Sequence, residues 1–220
     1  MRNIILLIIE ITFCYTSLIA LFKKYKTDGI YIYSIIAIII ASIMNLKTIS
    51  IMNVPIPLGF GVTTSILIGI NMIIQRRGKE EIKECVLLMI IMSLISCTIL
   101  FLSSLMENSN YNLLANLSFN SIFNNSIRIY IALIISLIIT ILIESNLYYI
   151  IKKFQNKIVL SNIFSIIIAE FFENIIFVVI AYLFEYEAID LFLCIILRYM
   201  IKTAIGIIGT IPLYITSKYD

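Results

Sequence analysis

The run at residues 160–183, LSNIFSIIIAEFFENIIFVVIAYL, is strongly apolar but carries two carboxylates near its middle. Glu170 and Glu173 are three residues apart, so in a helix both side chains lie on one stripe, which Asn174 extends. In a helix that crosses a bilayer, each charged side chain that faces lipid costs about 2.5 to 3.5 kcal/mol. We therefore expect both carboxylates to face polar groups of the same protein.

The last apolar run supplies the expected partners. Arg198 and Lys202 are four residues apart and share one helical face. Two further acids lie in apolar runs: Glu144 is close to the end of the fifth run, and Glu10 lies in the first, near enough to a helix end to face the membrane interface. Two bases can pair with only two of these four acids. The remaining acids must be protonated, hydrated or bound to a ligand.

A third polar pair, Asn71 and Gln75, lies four residues apart in the third apolar run. Amide side chains at this depth serve either helix–helix hydrogen bonds or ligand contacts, and spacing leaves both open. The charged residues leave a similar alternative, since a buried ion network can serve only to fix helix register. Because intramembrane ionisable groups mark functional sites by default, the predicted substrate-binding residues are Glu173, Glu170, Glu144, Lys202, Arg198, Asn71 and Gln75.

The composition indicates that these apolar runs lie in a lipid bilayer rather than in water. Of 220 residues, 61% are hydrophobic and only 13% are charged, and the mean hydropathy is +1.08. That charge content is too low to cover a water-soluble domain, whereas a membrane helix needs about 20 apolar residues. The sequence predicts an all-α polytopic membrane helix bundle, one domain over residues 1–220 with six to seven transmembrane helices, at 3–22, 30–46, 56–74, 85–105, 129–151, 159–184 and 190–215.

The start of the third run has unusual local chemistry, because Pro55, Pro57, Gly59 and Gly61 all weaken a helix. One interpretation is that the prolines close a loop and the helix starts after Gly61. The other is a discontinuous helix whose free N–H groups face a ligand. The sequence favours the first.

Lys and Arg are concentrated in alternate connections, which indicates the orientation, because basic loops stay on the cytoplasmic side. The pattern predicts a multi-pass protein of a bacterial inner membrane, with an external N-terminus and a cytoplasmic C-terminus for seven spans. The net charge of +3 follows from this bias and gives no reason to expect nucleic-acid binding. The basic groups of the first, third and fifth connections are Lys23, Lys24 and Lys26, then Arg76, Arg77, Lys79 and Lys83, then Lys152, Lys153 and Lys157.

Residue types exclude several kinds of catalytic site. The sequence has no histidine, which removes Ser/His and Cys/His nucleophile systems and His-ligated metal sites. It has no GxxxxGK[ST] phosphate loop, and its four cysteines are scattered without paired spacing. The paired glutamates in EFFEN are only superficially similar to those of membrane proteases. We expect no enzyme, no cofactor and no metal.

Five pieces of the sequence follow one another between about residues 21 and 215: DGIYIYSIIAIIIASIMNLKT, LGFGVTTSILIGINMIIQRRGKEE, IFNNSIRIYIA, LSNIFSIIIAEFFENIIFVVIAYL and YMIKTAIGIIGTIPLYI. In this order and spacing they resemble the bacterial queuosine-precursor transporter family, also called the vitamin uptake transporter family. Several family positions differ here. The chain has Phe60 where the family has Asn, Asn71 where it has Asp, and Gln75 where it has Glu.

The resemblance implies uptake of 7-deazaguanine-type bases or related compounds by alternating access. A single carboxylate can accept the neighbouring N–H and NH2 groups of such a base, and Glu173 is the predicted residue for that contact. Glu170 or Glu144 would then neutralise an aminomethyl group of the solute or carry a coupling proton. Lys202 would accept a proton from the acids or hold them in place.

Other functions remain open at this point. The chain could be the substrate-binding membrane subunit of an ATP-driven uptake complex whose ATPases are separate chains. A membrane immunity or assembly factor is a further alternative. The expected partners are a small-molecule substrate and the lipid bilayer, with either a homo-oligomer or separate ATPase subunits.

Overall fold

A computed structural model describes residues 2–108, 111–124, 127–155 and 157–219 of the chain. The helices form an all-α bundle, as predicted, and one small β-hairpin adds to it. The described elements are, in chain order, α1 (Arg2–Met44), β1 (Thr48–Ile51), β2 (Val54–Pro57), α2 (Phe60–Arg77), α3 (Ile82–Ser104), α4 (Leu113–Asn124), α5 (Ile127–Gln155), α6 (Ile158–Tyr182), α7 (Ala188–Ile208) and α8 (Thr210–Ser217).

By length and composition, five helical stretches of the described residues can cross a membrane. They are Asn3–Met44, Ile82–Ser104, Ile127–Gln155, Ile158–Tyr182 and Ala188–Ser217.

The first of these stretches, α1, consists of two membrane-length arms. At about 1.5 Å per residue, its 43 residues would extend roughly 65 Å, about twice the hydrocarbon thickness of a bilayer. Lys26 interrupts the helix with φ 56° and ψ −136°. Glu10 and Leu21 of the first arm line the same cavity as Tyr33 and Met44 of the second, so the arms lie side by side. The first two predicted spans are therefore the two arms of α1.

A two-stranded antiparallel sheet, β1 with β2, occupies the predicted start of the third span. Met52 and Asn53 connect the strands and both have positive φ, 53° and 65°, as a two-residue type I′ turn requires. Pro55 and Pro57 lie in β2 two residues apart, so their missing N–H groups fall on one edge of the strand. The third span begins at Phe60 rather than at residue 56, which corrects the prediction and favours the interpretation that the prolines precede the helix.

The helix α2 lies at the centre of the bundle. It packs against α1, α5, α7 and α8, and every residue from Phe60 to Ile74 is buried. Its neighbours are protein rather than lipid, so polar side chains such as Thr64 and Asn71 can occupy it. This explains why α2 is less apolar than the five membrane-length stretches.

The last predicted span is divided into α7 and α8 at Gly209. A Cβ at Gly209 would lie 2.6 Å from a side-chain atom of Ile68 and 2.7 Å from the Tyr15 hydroxyl, so only glycine allows this close approach. Pro212 lies in the first turn of α8, where the backbone N–H groups have no intrahelical acceptor and the missing one is tolerated.

Contacts at one end of the bundle join the connections that carry most of the basic residues. Arg77 Nη2 lies 2.9 Å from Asp28 Oδ1, which connects the end of α2 to the turn of α1. Arg76 Nη2 donates to the Thr216 carbonyl at 2.9 Å, which connects α2 to the end of α8. At the opposite end, Arg128 donates to the carbonyl of Leu183, just after α6. The bundle thus has a basic end and an opposite end.

Candidate functional site

The polar stripe predicted on α6 faces the interior. Glu170, Glu173 and Asn174 are all 0% exposed. Phe171 and Phe172 project from the other side of α6 and are 48% and 44% exposed, as suits a face in contact with lipid. The charged face of α6 therefore packs against protein, and its aromatic face is turned to the membrane.

Four charged side chains of α6 and α7 form a closed cluster, which we call the ion cluster: Glu170, Glu173, Arg198 and Lys202. Arg198 donates to both oxygens of Glu173, with each N–O distance 3.2 Å. Lys202 Nζ lies 2.7 Å from Glu170 Oε2 and 2.8 Å from Glu173 Oε2. All four are 0% exposed. The ion pairs expected from the spacing of these residues are present, and the formal charges of the cluster cancel.

Neutral groups complete the surroundings of the ion cluster. Thr64 of α2 donates to Glu170 Oε1 at 3.0 Å. The Arg198 guanidinium carbon lies 4.0 Å from the centre of the Phe177 ring, within range of a cation–π interaction. The cluster therefore holds together the middle of α6, the middle of α7 and the first part of α2.

A second buried network, which we call the amide chain, consists of Asn71, Glu144, Asn162 and Thr210. Asn71 Nδ2 donates to Glu144 Oε1 at 2.7 Å and to Asn162 Oδ1 at 2.9 Å. Asn162 Nδ2 donates to Thr210 Oγ1 at 2.9 Å and lies 3.3 Å from the Gly206 carbonyl oxygen. The amide chain links α2, α5, α6 and α8, and Glu144 is its acid.

Two polar atoms of the amide chain remain open. Glu144 Oε2 and Asn71 Oδ1 are buried and have no hydrogen-bond partner among the residues that the structure describes. Glu144 also lies within electrostatic range of Glu170 and Lys202, which places the amide chain next to the ion cluster. Together the two networks form a polar layer across the core of the bundle.

Gln75, the remaining predicted site residue, lies outside this layer. Its Nε2 donates to the Tyr148 hydroxyl at 2.6 Å. It is one turn beyond Asn71 toward the basic end and is only partly buried. The structure therefore brings six of the seven predicted residues into two adjoining networks and places Gln75 at their edge.

Sequence reasoning did not include three members of the layer among the candidates. Asn162 and Thr210 lie in pieces that carry the family resemblance, and Asn162 precedes Glu170 by eight residues, which places both on one side of α6. That spacing could have identified Asn162. Thr64 gives no such signal, because threonines are common between packed membrane helices.

Four cavities that the described residues line have no residue of either network in their walls. One of about 340 Å³ separates the arms of α1, and one of about 120 Å³ lies beside Glu10 and Lys47. Another of about 420 Å³ lies between α3 and α5 at the basic end, and one of about 280 Å³ lies beside α4. The charged and amide side chains of both networks are 0% exposed, so this conformation keeps them from water.

A comparison with known families matches residues 57–216 to a family described as a putative vitamin uptake transporter. The match covers well over half of the chain. The chain belongs to this family. No curated protein and no solved structure matched the chain in parallel comparisons.

Membership in the vitamin uptake transporter family confirms the resemblance seen in the sequence. The matched residues include all of α2, α5, α6 and α7 and so contain both networks of the polar layer. The family is described as one of uptake transporters, and the apolar helices agree with a multi-pass membrane protein.

Proposed function

We propose that the chain imports a small solute by alternating access, and that the solute binds in the polar layer. The observation that carries the proposal is the complete burial of three carboxylates and two cations within membrane-length helices. Each charge at this depth is costly, and binding sites of alternating-access transporters lie near the bilayer midplane. Binding of a transported solute would account for charged groups inside the membrane.

Within the layer, the open atoms of the amide chain are the best candidates for direct solute contact. Both oxygens of Glu173 are held by Arg198 and Lys202, so Glu173 is better suited to positioning α6 and α7 than to binding the solute in this conformation. Asn71 Oδ1 and Glu144 Oε2 are free to make new hydrogen bonds. We therefore assign solute contact first to Asn71 and Glu144.

A 7-deazaguanine-type base, such as a queuosine precursor, suits this site. Its edge carries N–H groups that an amide or carboxyl oxygen accepts. A buried site that makes such hydrogen bonds strongly rejects analogues that lack them, because its own polar groups are then left unpaired. The family resemblance and the open acceptors support the same class of solute.

Restoration of uptake tests this proposal. Bacteria that cannot make the precursor are supplied with a 7-deazaguanine base, and modified tRNA is measured with wild-type chain, Asn71→Leu or the control Asn146→Leu, whose side chain is exposed. We expect wild type and the control to restore modification and Asn71→Leu to lose it at equal membrane levels. Failure of wild type, or full activity of Asn71→Leu, contradicts the proposal.

An ATP-driven complex is the alternative that the same chemistry allows. Uptake by the purified chain alone in liposomes excludes it. Stoichiometric ATPase subunits in a pull-down of the tagged chain, together with no uptake by the chain alone, establish it. The same purification determines whether the chain forms a homo-oligomer.

We place the protein in the inner membrane of a bacterium with its basic end in the cytoplasm. The contacts of Arg76 and Arg77 support this orientation, since they gather the basic connections at one end. Phosphatase fusions test it. A fusion after residue 26 should be inactive, and one after residue 108 should be active.

A further inference from the structure

The polar layer contains more acid than base. The ion cluster has two carboxylates and two cations, whose formal charges cancel. Glu144 is a third carboxyl group, 0% exposed, and its hydrogen-bond partner Asn71 is uncharged. An ionised carboxylate without a charged partner is very unfavourable in a water-poor interior, so such a group takes up a proton instead.

The amide chain determines which oxygen of Glu144 is free. The Gly206 carbonyl only accepts hydrogen bonds, so Asn162 directs its NH2 group toward Gly206 and Thr210. Asn162 therefore offers its Oδ1 to Asn71, which must donate from Nδ2. The same Nδ2 also donates to Glu144 Oε1. The proton of Glu144 therefore belongs on Oε2, the oxygen that has no partner within the described part of the chain.

The ionisable neighbours of Glu144 do not supply the missing positive charge. Glu170 of α6 and Lys202 of α7 interact with it electrostatically, as do Tyr15 of α1 and Tyr148 of its own helix, while α2 presents the uncharged Asn71. Lys202 is the one cation in this set, and it already contacts two carboxylates of the ion cluster at 2.7 and 2.8 Å. A proton is therefore the counter-charge that fits Glu144.

We propose that Glu144 carries a proton through the transport cycle and that solute uptake is coupled to proton entry. The inference rests on the proposed function. A proton from external water converts the Glu144 carboxylate to a carboxylic acid before the layer closes. The same proton passes to cytoplasmic water when the layer opens inward, so one proton enters per cycle.

Protonation also changes what the site recognises. The Oε2–H group becomes a hydrogen-bond donor, while Asn71 Oδ1 remains an acceptor. Guanine-type bases have a lactam edge with a C=O and an N–H side by side. The Oε2–H of Glu144 can donate to the C=O, and Asn71 Oδ1 can accept from the N–H. The solute then binds the protonated form of Glu144, and this preference ties its movement to that of the proton.

Reconstitution of the full chain in liposomes tests the coupling with a radiolabelled 7-deazaguanine base as the probe. The variants are wild type, Glu144→Gln, and the control Glu187→Gln, which alters an exposed acid before α7. One assay measures exchange of labelled for unlabelled base at equal pH. The other measures accumulation driven by an interior one pH unit more alkaline, with the membrane potential held at zero.

We expect wild type and the control to exchange the base and to accumulate it up to about tenfold, the limit for one proton per solute at one pH unit. Glu144→Gln, which has no carboxyl proton to take up or release, should accumulate none of the base above the external concentration, whatever exchange it retains. With the wild-type protein, addition of the 7-deazaguanine solute outside the liposomes should also acidify the lumen. A pH dye trapped inside reports this change, and the measurement needs no variant.

Three results would overturn the coupling. They are accumulation by Glu144→Gln at the wild-type level, wild-type accumulation that does not respond to the pH gradient, and solute entry without lumen acidification. Absence of exchange by wild type would instead reject the proposed function and the coupling with it. The dye measurement on wild type keeps the inference testable if Glu144→Gln fails to fold.

Discussion

The ion cluster and the amide chain are buried neighbours that differ in charge balance. In the ion cluster every carboxylate contacts a cation, and the four formal charges cancel. In the amide chain the carboxyl group of Glu144 has one amide partner and one open oxygen. A network whose charges are paired can hold helices in register, whereas a carboxyl group without a cation can take up a proton or bind a solute. The difference therefore separates positioning from binding within one layer.

Removal of a cation should break the ion cluster and give the largest effect. Lys202→Met leaves Glu170 without a charged partner and Glu173 with only Arg198. Loss of one member of a buried ion pair costs about 3 to 5 kcal/mol, so we expect a large fall in the thermal midpoint of the detergent-purified protein and a low membrane level. Lys218→Met, at an exposed position near the C-terminus, is the matched control.

A second substitution sharpens that result. Glu170→Gln combined with Lys202→Met removes one acid along with the base and should recover part of the lost stability. A single Lys202→Met variant as stable as wild type would show that the ion cluster does not hold these helices together.

Interruption of the amide chain should have a smaller effect on stability and a complete effect on uptake. Asn162→Leu removes the partner of Asn71 Nδ2, of Thr210 and of the Gly206 carbonyl. Buried groups left without a partner cost about 1 to 3 kcal/mol. We expect a moderate fall in thermal midpoint and loss of base binding in a thermal-shift titration, while retained binding would contradict a role for this network in the site.

The edge of the layer should tolerate change better than its centre. Tyr148→Phe removes the hydrogen bond from Gln75 and should cost about 0.5 to 1.5 kcal/mol. Gln75→Leu should have a similar effect, and the double variant should add little to either. Uptake measured beside stability should stay near wild type, and loss of uptake by Tyr148→Phe would extend the binding site to this pair.

The surface pair at the basic end should have the smallest effect. Asp28 and Arg77 lie 2.9 Å apart with side chains 72% and 43% exposed, and exposed pairs are worth at most about 1 kcal/mol. Asp28→Asn should leave uptake and the thermal midpoint nearly unchanged. A large loss would mean that the turn of α1 moves with this contact during transport.

Much of the polar layer could be predicted because helical spacing decides which side chains share a face. The i, i+3 spacing of Glu170 and Glu173 and the i, i+4 spacing of Arg198 and Lys202 predict two facing stripes, and the ion cluster joins them. Residue spacing cannot determine which two of the three acids form ion pairs with the two bases, because the pairing depends on distances among α5, α6 and α7. The role of Glu144 as the acid left over therefore required the structure.

The start of the third span could be predicted only in part. Pro55 and Pro57 indicate that the helix begins later, and it does begin at Phe60. The β-hairpin was not predicted, because Met52 and Asn53 are not the Asn-Gly or Asp-Gly pair that marks a type I′ turn in a sequence. Tertiary packing of Val54 and Ile56, both buried, overrides that weak turn preference.

The proposed transport requires that the polar layer, which is buried in this conformation, opens to water and receives the solute. Its most direct test is labelling of Thr64→Cys by a membrane-impermeant thiosulfonate, in a chain whose four native cysteines are replaced by alanine. Thr64 contacts the ion cluster and is 0% exposed, and Ala132→Cys, in the apolar core, is the control. We expect Thr64→Cys to be labelled in membranes, a 7-deazaguanine base to slow the labelling, and the control to stay unlabelled. Thr64→Cys as inert as the control, with or without the base, would contradict the proposed opening.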